Sequence, residues 1–172
     1  MTVTIRALLP EEASCLSAIE RDAAERFREV GLAAIADDVP TPEPFIRAVV
    51  NKGVAFGAAT ERDGLVGFVL AGLLDDALHI YELSVASASG RRGIGSRLLA
   101  EIDMAALARG LGAVTLSTFV DVPWNAPFYA RRGFKPVEIE DWGPAFHLLN
   151  GAEHAAGLPL DRRVFMRKEL AR

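Results

Sequence analysis

A chain of 172 residues carries enough length for one domain with a proper core and is short for two. Its hydrophobic fraction of 51% excludes disorder over most of the length, and its net charge of −4 argues against nucleic acid as the main partner, which needs a surplus of basic charge on one face. A single cysteine, Cys15, excludes an internal disulfide, and no Cys/His cluster has zinc spacing.

Val3 to Ala7 reads as a first strand. Pro10, Glu11 and Glu12 then open a helix, with proline in the first turn and acidic side chains at the positive dipole end. Ala13, Leu16, Ile19, Ala23 and Phe27 give it one apolar stripe, and Cys15 is expected there as a small packing residue. Gly31 to Pro44 is irregular, a surface loop with room for a short helical turn. Thr41, Pro42 and Glu43 are read as the N-cap and first turn of a second helix ending before Gly53, with Phe45, Ala48 and Val49 facing inward.

Val54 to Thr60 and Leu65 to Leu73 are strands joined through Asp63-Gly64, a strong hairpin turn, and Asp75-Asp76 marks the next turn. Ala77 to Val85 is β-branched and aromatic, so it completes a three-strand antiparallel meander. Between Ala86 and Gly95 lie three glycines and two arginines with no acidic residue. Leu98, Leu99, Ile102 and Ala105 or Ala106 then follow at helical spacing, ending at Arg109 and Gly110. A helix start exposes unpaired N–H groups and the positive end of the helix dipole, and glycines admit close approach. This strand, loop and helix are therefore built to hold an anion such as a phosphate.

Ala113 to Phe119 follows through a helical crossover and should run parallel to 77–85. Asn125 is placed to cap a short helix with Pro127 in its first turn and Gly133 at its end. Phe134 to Glu140 and Arg163 to Glu169 are the last strands. Trp142 to Asp161 separates them as an insertion. Asn150 and Glu153 resemble a capping pair there, and Gly157 a helix stop.

Two motifs carry a family resemblance. The window Gly90-Arg-Arg-Gly93-Ile-Gly95 is similar to the Gln/Arg-x-x-Gly-x-Gly/Ala loop of the GCN5-related N-acetyltransferase (GNAT) superfamily, with Gly93 and Gly95 matching and Gly90 departing from Gln or Arg. Asn125, Tyr129, Gly133 and Phe134 match its Asn-x-x-x-Tyr and Gly-Phe element. The spacing is not the Gly-x-Gly-x-x-Gly of a dinucleotide fold, and a Walker Gly-Lys-Ser/Thr is absent.

The resemblance implies a single N-acetyltransferase domain over 1–172. Its α/β fold has a mixed, mostly antiparallel sheet of six to seven strands, about four helices and a central βαβ acyl-CoA site. It implies acetyl-CoA as co-substrate, with the pyrophosphate on N–H groups of Arg91, Arg92, Gly93, Ile94, Gly95 and Ser96. The pantetheine arm would lie along Leu83, Ser84 and Val85, with a backbone N–H near Leu83 polarising the thioester carbonyl. Tyr129 occupies the proton-donor position. Asn125 either bonds the cofactor arm or serves only as a cap. Glu82 is the candidate base, acting directly or through water, or else an ordinary strand residue; Asp121 is a second candidate, and the family also works without a dedicated base.

By alternation Glu82 shares a face with Ile80 and Ser84. Trp124 either lines the acceptor pocket or packs. His147 and His154 are seven apart with no partner carboxylate at helical spacing, and no metal is expected. Acceptor walls are expected from Arg26 to Thr41 and from 142–161. Asp37, Asp38, Glu43, Glu140 and Asp141 lie nearby and suit a cationic amine. The expectation is a cytoplasmic transferase acting on a small-molecule or peptide amine, without nucleic-acid or membrane partners, and compatible with a homodimer. A non-catalytic acyl-CoA-binding regulatory module is the alternative.

Overall fold

The structure, a computed structural model, describes residues 2–171. Seven strands form one sheet in the order β1-β2-β3-β4-β5-β7-β6: Val3–Ala7, Val54–Thr60, Gly64–Leu74, Ala77–Val85, Ala113–Phe119, Lys135–Pro136 (β6) and Arg163–Glu169 (β7). β4 and β5 are parallel, whereas β1 with β2, β2 with β3, β5 with β7 and β6 with β7 are antiparallel. Four longer helices are present among the described residues, α1 (Ala13–Ala24), α3 (Glu43–Lys52), α4 (Ile94–Ala108) and α6 (Pro144–Ala155), with short α2 (Ala33–Ala36) and α5 (Ala126–Ala130). This is the expected mixed, mostly antiparallel α/β architecture. Two compact units are distinguished, Met1–Gly72 with Tyr81–Ala105, and Leu73–Ile80 with Ala106–Arg172.

In the first unit, Leu16 and Ile19 of α1 and Ile46 and Val49 of α3 pack with Leu8, Phe68 and Leu70 in one buried cluster. The stripe of α1 starts where expected, but Cys15 is exposed, because the buried positions are its neighbours at Ala13, Leu16 and Ile19. The inward face of α3 is also turned by one position. Ile46 is buried with Val49, while Phe45 and Ala48 are exposed. An Ile46–Val49 stripe at i,i+3 buries two β-branched side chains. Phe45 instead meets Tyr81 edge to face, with ring centroids 5.2 Å apart.

Thr41 does not cap α3. Its N–H and hydroxyl both donate to the Glu20 carboxylate at 3.0 Å, and Pro42 precedes the helix without a side-chain cap. The Asp63-Gly64 turn forms as expected, with Gly64 at φ 68°.

In the second unit, the β4–β5 register runs from Ala77↔Ala113 to Ile80↔Leu116. β4 itself continues to Val85 and β5 to Phe119. The strand expected over Phe134 to Glu140 is confined to Lys135–Pro136. Pro136 has no N–H to donate to a ladder, and after Val137 bonds Phe165 the chain turns into a 3₁₀ turn at Ile139–Asp141. The insertion folds as a helix that begins at Pro144, not at Asn150, which lies in its interior. The Gly143-Pro144 pair starts it, and Gly157, at φ 77°, follows its end as expected. Phe146 stacks on Phe165 with centroids 4.4 Å apart, and Glu153 pairs with Arg163 at 2.8 Å, so α6 is fastened to β7.

Candidate active site

In the first unit β4 leads through a 3₁₀ turn at Ser87–Ser89 and the segment 90–93 into α4. Arg91 stands at φ 58° and Gly93 at φ 75°, so two left-handed residues bracket Arg92 just before the helix. Such alternation belongs to concave, N–H-lined anion sites. The Arg97 N–H donates to the Gly93 carbonyl at 3.1 Å, and the N–H groups of Ile94 and Gly95 precede it along the first turn. Buried Ile94, Leu98, Leu99 and Ile102 anchor the helix, while Arg91 and Arg92 are exposed.

A Cβ on Gly93 would meet no atom within 4 Å, so glycine is needed there for its dihedral and not for space within the chain. Gly90, at φ −61° and ψ 160°, adopts a conformation open to any residue. Its departure from Gln or Arg therefore removes a side chain and leaves the backbone cradle intact. From outside the segment, the Ser87 N–H donates to the Asp22 carboxylate.

Glu82 and Ser84 lie on one face of β4, as alternation predicts, and the Ser84 hydroxyl donates to Glu82 Oε1 at 2.7 Å. Glu82 is half-buried and Ser84 buried; Leu83 and Val85 are half-buried on the other face. The loop residues Arg91 to Ser96 and the β4 residues Glu82 to Val85 thus belong to one unit.

In the second unit Tyr129 is a buried residue of α5, edge-on to Phe128 at 5.2 Å and to Phe134 at 5.6 Å. Asn125 precedes the helix, and its main-chain carbonyl accepts N–H groups of Phe128 and Tyr129 at 2.8 and 3.0 Å. Its side chain does not cap. The buried Oδ1 has no hydrogen-bond partner among the described residues. Such a buried acceptor costs roughly 1–3 kcal/mol unless a donor from a ligand or water meets it. Asp121 is committed to an ion pair with Arg162 at 2.8 Å, which weakens its candidacy as a base. Trp124 is half-buried.

His147 lies exposed against the Trp142 ring at 5.5 Å, and His154 is exposed. No group of three or more His, Cys, Asp or Glu among the described residues is placed to hold a metal ion. Buried His79 contacts the Thr115 hydroxyl through Nδ1 at 2.9 Å, and burial pushes its pKa down to about 4.

A cavity of about 540 Å³ opens in this unit, lined by Asp75, Asp76, Lys135, Asp141, Phe146 and Arg167. The insertion does line a cavity, through Gly143 and Phe146, beside Ala77 at the start of β4. Asp76 and Glu169 both pair with Arg167, at 2.9 and 2.6 Å, so much of its charge is internally satisfied. Size alone does not make it the reaction site.

Two sequence-distant contacts were invisible along the chain. Asp22 reaches Ser87 across 65 positions, and Arg163 joins Glu153 to the Ser117 hydroxyl. No local pattern announces either one.

A domain model described as "Acetyltransferase (GNAT) domain" matches residues 52–136, which contain β2 to β6 and the anion loop. The fold matches the PaiA N-acetyltransferase from Thermoplasma acidophilum, solved with coenzyme A, at TM-score 0.69 and 17% identity over 98% of this chain and 99% of that one. It matches a GNAT-family acetyltransferase from Staphylococcus aureus at TM-score 0.74 and 19% identity, over 99% and 100% of the two chains. The ribosomal-protein-S18-alanine N-acetyltransferase from Escherichia coli aligns at TM-score 0.67 and 15% identity over 99% and 96%. These structures share the fold described above, including the strand–loop–helix of β4 and α4. Over residues 52–136 and in its fold, the chain is similar to GNAT acetyltransferases.

Proposed function

We propose that the chain transfers the acetyl group of acetyl-CoA to a primary amine by direct attack. The observation that carries this is the backbone from Gly90 to Ser96: left-handed at Arg91 and Gly93, free of acidic side chains, and opening a fifteen-residue helix. The N–H groups of Arg91 to Ser96 bind the pyrophosphate, and Arg91 and Arg92 add charge beside it. The end of β4 at Leu83, Ser84 and Val85 offers main-chain groups to the pantetheine arm. Support comes from the β4–β5 register, whose pairs end at Ile80 while β4 runs on. The Leu83 N–H polarises the thioester carbonyl.

Asn125 Oδ1, an unpaired buried acceptor, receives a donor of the arm. Glu82 accepts the amine's proton directly or through a water, while its Oε1 accepts a hydrogen bond from the Ser84 hydroxyl. As the amine nitrogen bonds the carbonyl carbon and the carbon–sulfur bond breaks, Tyr129 protonates the departing thiolate; a phenol of pKa about 10 is protonated at neutral pH and suits an acid. The segment from Arg26 to Thr41 and residues 142–161 are the proposed acceptor walls, and their carboxylates favour a cationic amine. We place the enzyme in the cytoplasm, with a homodimer as its assembly and neither nucleic acid nor membrane as partner. Among the described residues no helix is long and apolar enough to cross a membrane.

The test is acetyl-CoA itself. At a hundredfold excess over the dissociation constant, binding stabilises by about 2.7 kcal/mol, a rise of roughly 5–10 °C in melting temperature for a chain of this size. A rise no larger than that from an unrelated nucleotide refutes the reading. Thiol release across an amine panel then identifies the acceptor. CoA affinity with an intact thioester throughout would point to the regulatory module, the reading that the missing side chain at Gly90 favours.

A further inference from the structure

Asp22 stands near the end of α1 and turns its carboxylate onto the backbone N–H of Ser87, while the Ser87 hydroxyl donates to the main-chain carbonyl of Asp22 at 3.0 Å. Ser87 opens the 3₁₀ turn that leads into the anion loop, so a carboxylate meets the positive end of that turn. The turn is internally braced. Ser89 N–H bonds the Ala86 carbonyl at 2.8 Å, Gly90 N–H bonds the Ser87 carbonyl at 3.1 Å, and Ser89 is buried. Moving Ser87 therefore moves the start of the loop four residues ahead of Arg91.

The other side of the tie is equally connected. From α1 the chain passes without interruption into a 3₁₀ stretch at Glu25–Val30 and on to α2. Arg28 bridges Glu25 and Asp37, and Thr41 returns to the Glu20 carboxylate. Residues 20–41 thus form one braced segment, and Asp22 is its attachment to the anion loop. Asp22 and Ser87 are exposed, so core packing does not explain the pair.

We propose that Asp22 is a positioning residue that couples the cofactor loop to the segment 20–41, so that CoA on the loop orders the segment proposed to receive the amine. This rests on the acetyl-CoA reading above. Asp22 touches no reacting atom and acts through Ser87.

The full chain tests it with CoA as the probe. D22A removes the acceptor, and S87P removes the N–H from the other end. Ala86 already has the extended backbone that precedes proline, at φ −53° and ψ 138°, and the first position of a helical turn accepts proline. Each variant should raise the CoA dissociation constant about five- to tenfold, the scale of one partly exposed charge-assisted hydrogen bond. The double variant should be no weaker than S87P alone, and D22N, which keeps an oxygen acceptor, should stay within about twofold of the native chain.

CoA should slow amide exchange across 20–41 in the native chain and fail to do so in D22A. A purely structural role would lower melting temperature and leave that response to CoA intact. Unchanged affinity in D22A, additive losses in the double variant, or no exchange response in the native chain would each overturn the coupling. A native chain that does not bind CoA overturns the acetyl-CoA reading and the coupling together; one that binds CoA while D22A behaves identically overturns the coupling alone.

Discussion

Replacing Gly93 by alanine separates what the backbone requires from what the cofactor requires. Gly93 stands at φ 75°, and two other glycines serve as matched controls: Gly110 at 73° after α4, and Gly157 at 77° after α6. At all three an added Cβ would meet nothing within 4 Å, so no steric clash distinguishes them. An L-residue in the left-handed region costs about 1–2 kcal/mol, offset by about 0.4–1 kcal/mol because alanine restricts the unfolded chain. The net loss is therefore about 1 kcal/mol at each site, or about 2–4 °C in melting temperature for a chain of this length.

Gly93→Ala, Gly110→Ala and Gly157→Ala should lose similar stability by calorimetry. Only Gly93→Ala should lose CoA affinity, because its methyl group is added to the loop proposed to receive the pyrophosphate. Titration calorimetry should show at least a tenfold weaker dissociation constant, about 1.4 kcal/mol, for that variant alone. If Gly93→Ala binds CoA as tightly as Gly110→Ala, the loop is not the cradle and the central assignment falls.

Tyr129→Phe should lower turnover at least about tenfold and leave the CoA dissociation constant within about twofold, since the phenol is assigned to the departing thiolate and not to cofactor binding. Unchanged turnover removes Tyr129 from the acid role. For His79 the folded chain stays neutral down to pH about 4, while the unfolded chain takes up its proton below about 6.5. The unfolded state then binds more protons between those values, so stability falls as pH drops through that window, by up to on the order of 3 kcal/mol. Urea denaturation between pH 7 and 4.5 should show a steeper loss for the native chain than for His79→Gln, and coincident slopes would mean that His79 is not held neutral.

Much of the fold was legible because its signals act over a few residues. Asp63-Gly64 and Asp75-Asp76 placed the meander turns, and both form, with Gly64 and Asp75 at positive φ. Gly110, Gly133 and Gly157 marked helix ends, and each is left-handed. Where two signals compete over a short stretch, local reading slips. Phe45 and Ala48 gave way to Ile46 as the inward residue of α3, because burial of the β-branched stripe won over burial of the aromatic. Asn150 looked like a cap, yet the Gly143-Pro144 start dominates and the helix runs through it. The candidate site was legible to the same extent: the loop and Tyr129 follow from motif and spacing, but Asn125's failure to cap and Asp121's pairing with Arg162 do not.

By itself the sequence determined the order of elements, the parallel crossover from β4 to β5, and the glycine-rich, carboxylate-free composition of the loop between β4 and α4. Those properties follow from periodicity, turn chemistry and the absence of carboxylates, each settled within one element and its neighbours. Only the tertiary structure decided that Cys15 faces outward, that α6 stacks Phe146 on Phe165, that Ser84 donates to Glu82, and that Asp22 holds Ser87 across 65 positions. Each depends on which side chains face one another once the helix and strand faces have packed, and no repeat or propensity along the chain carries that information.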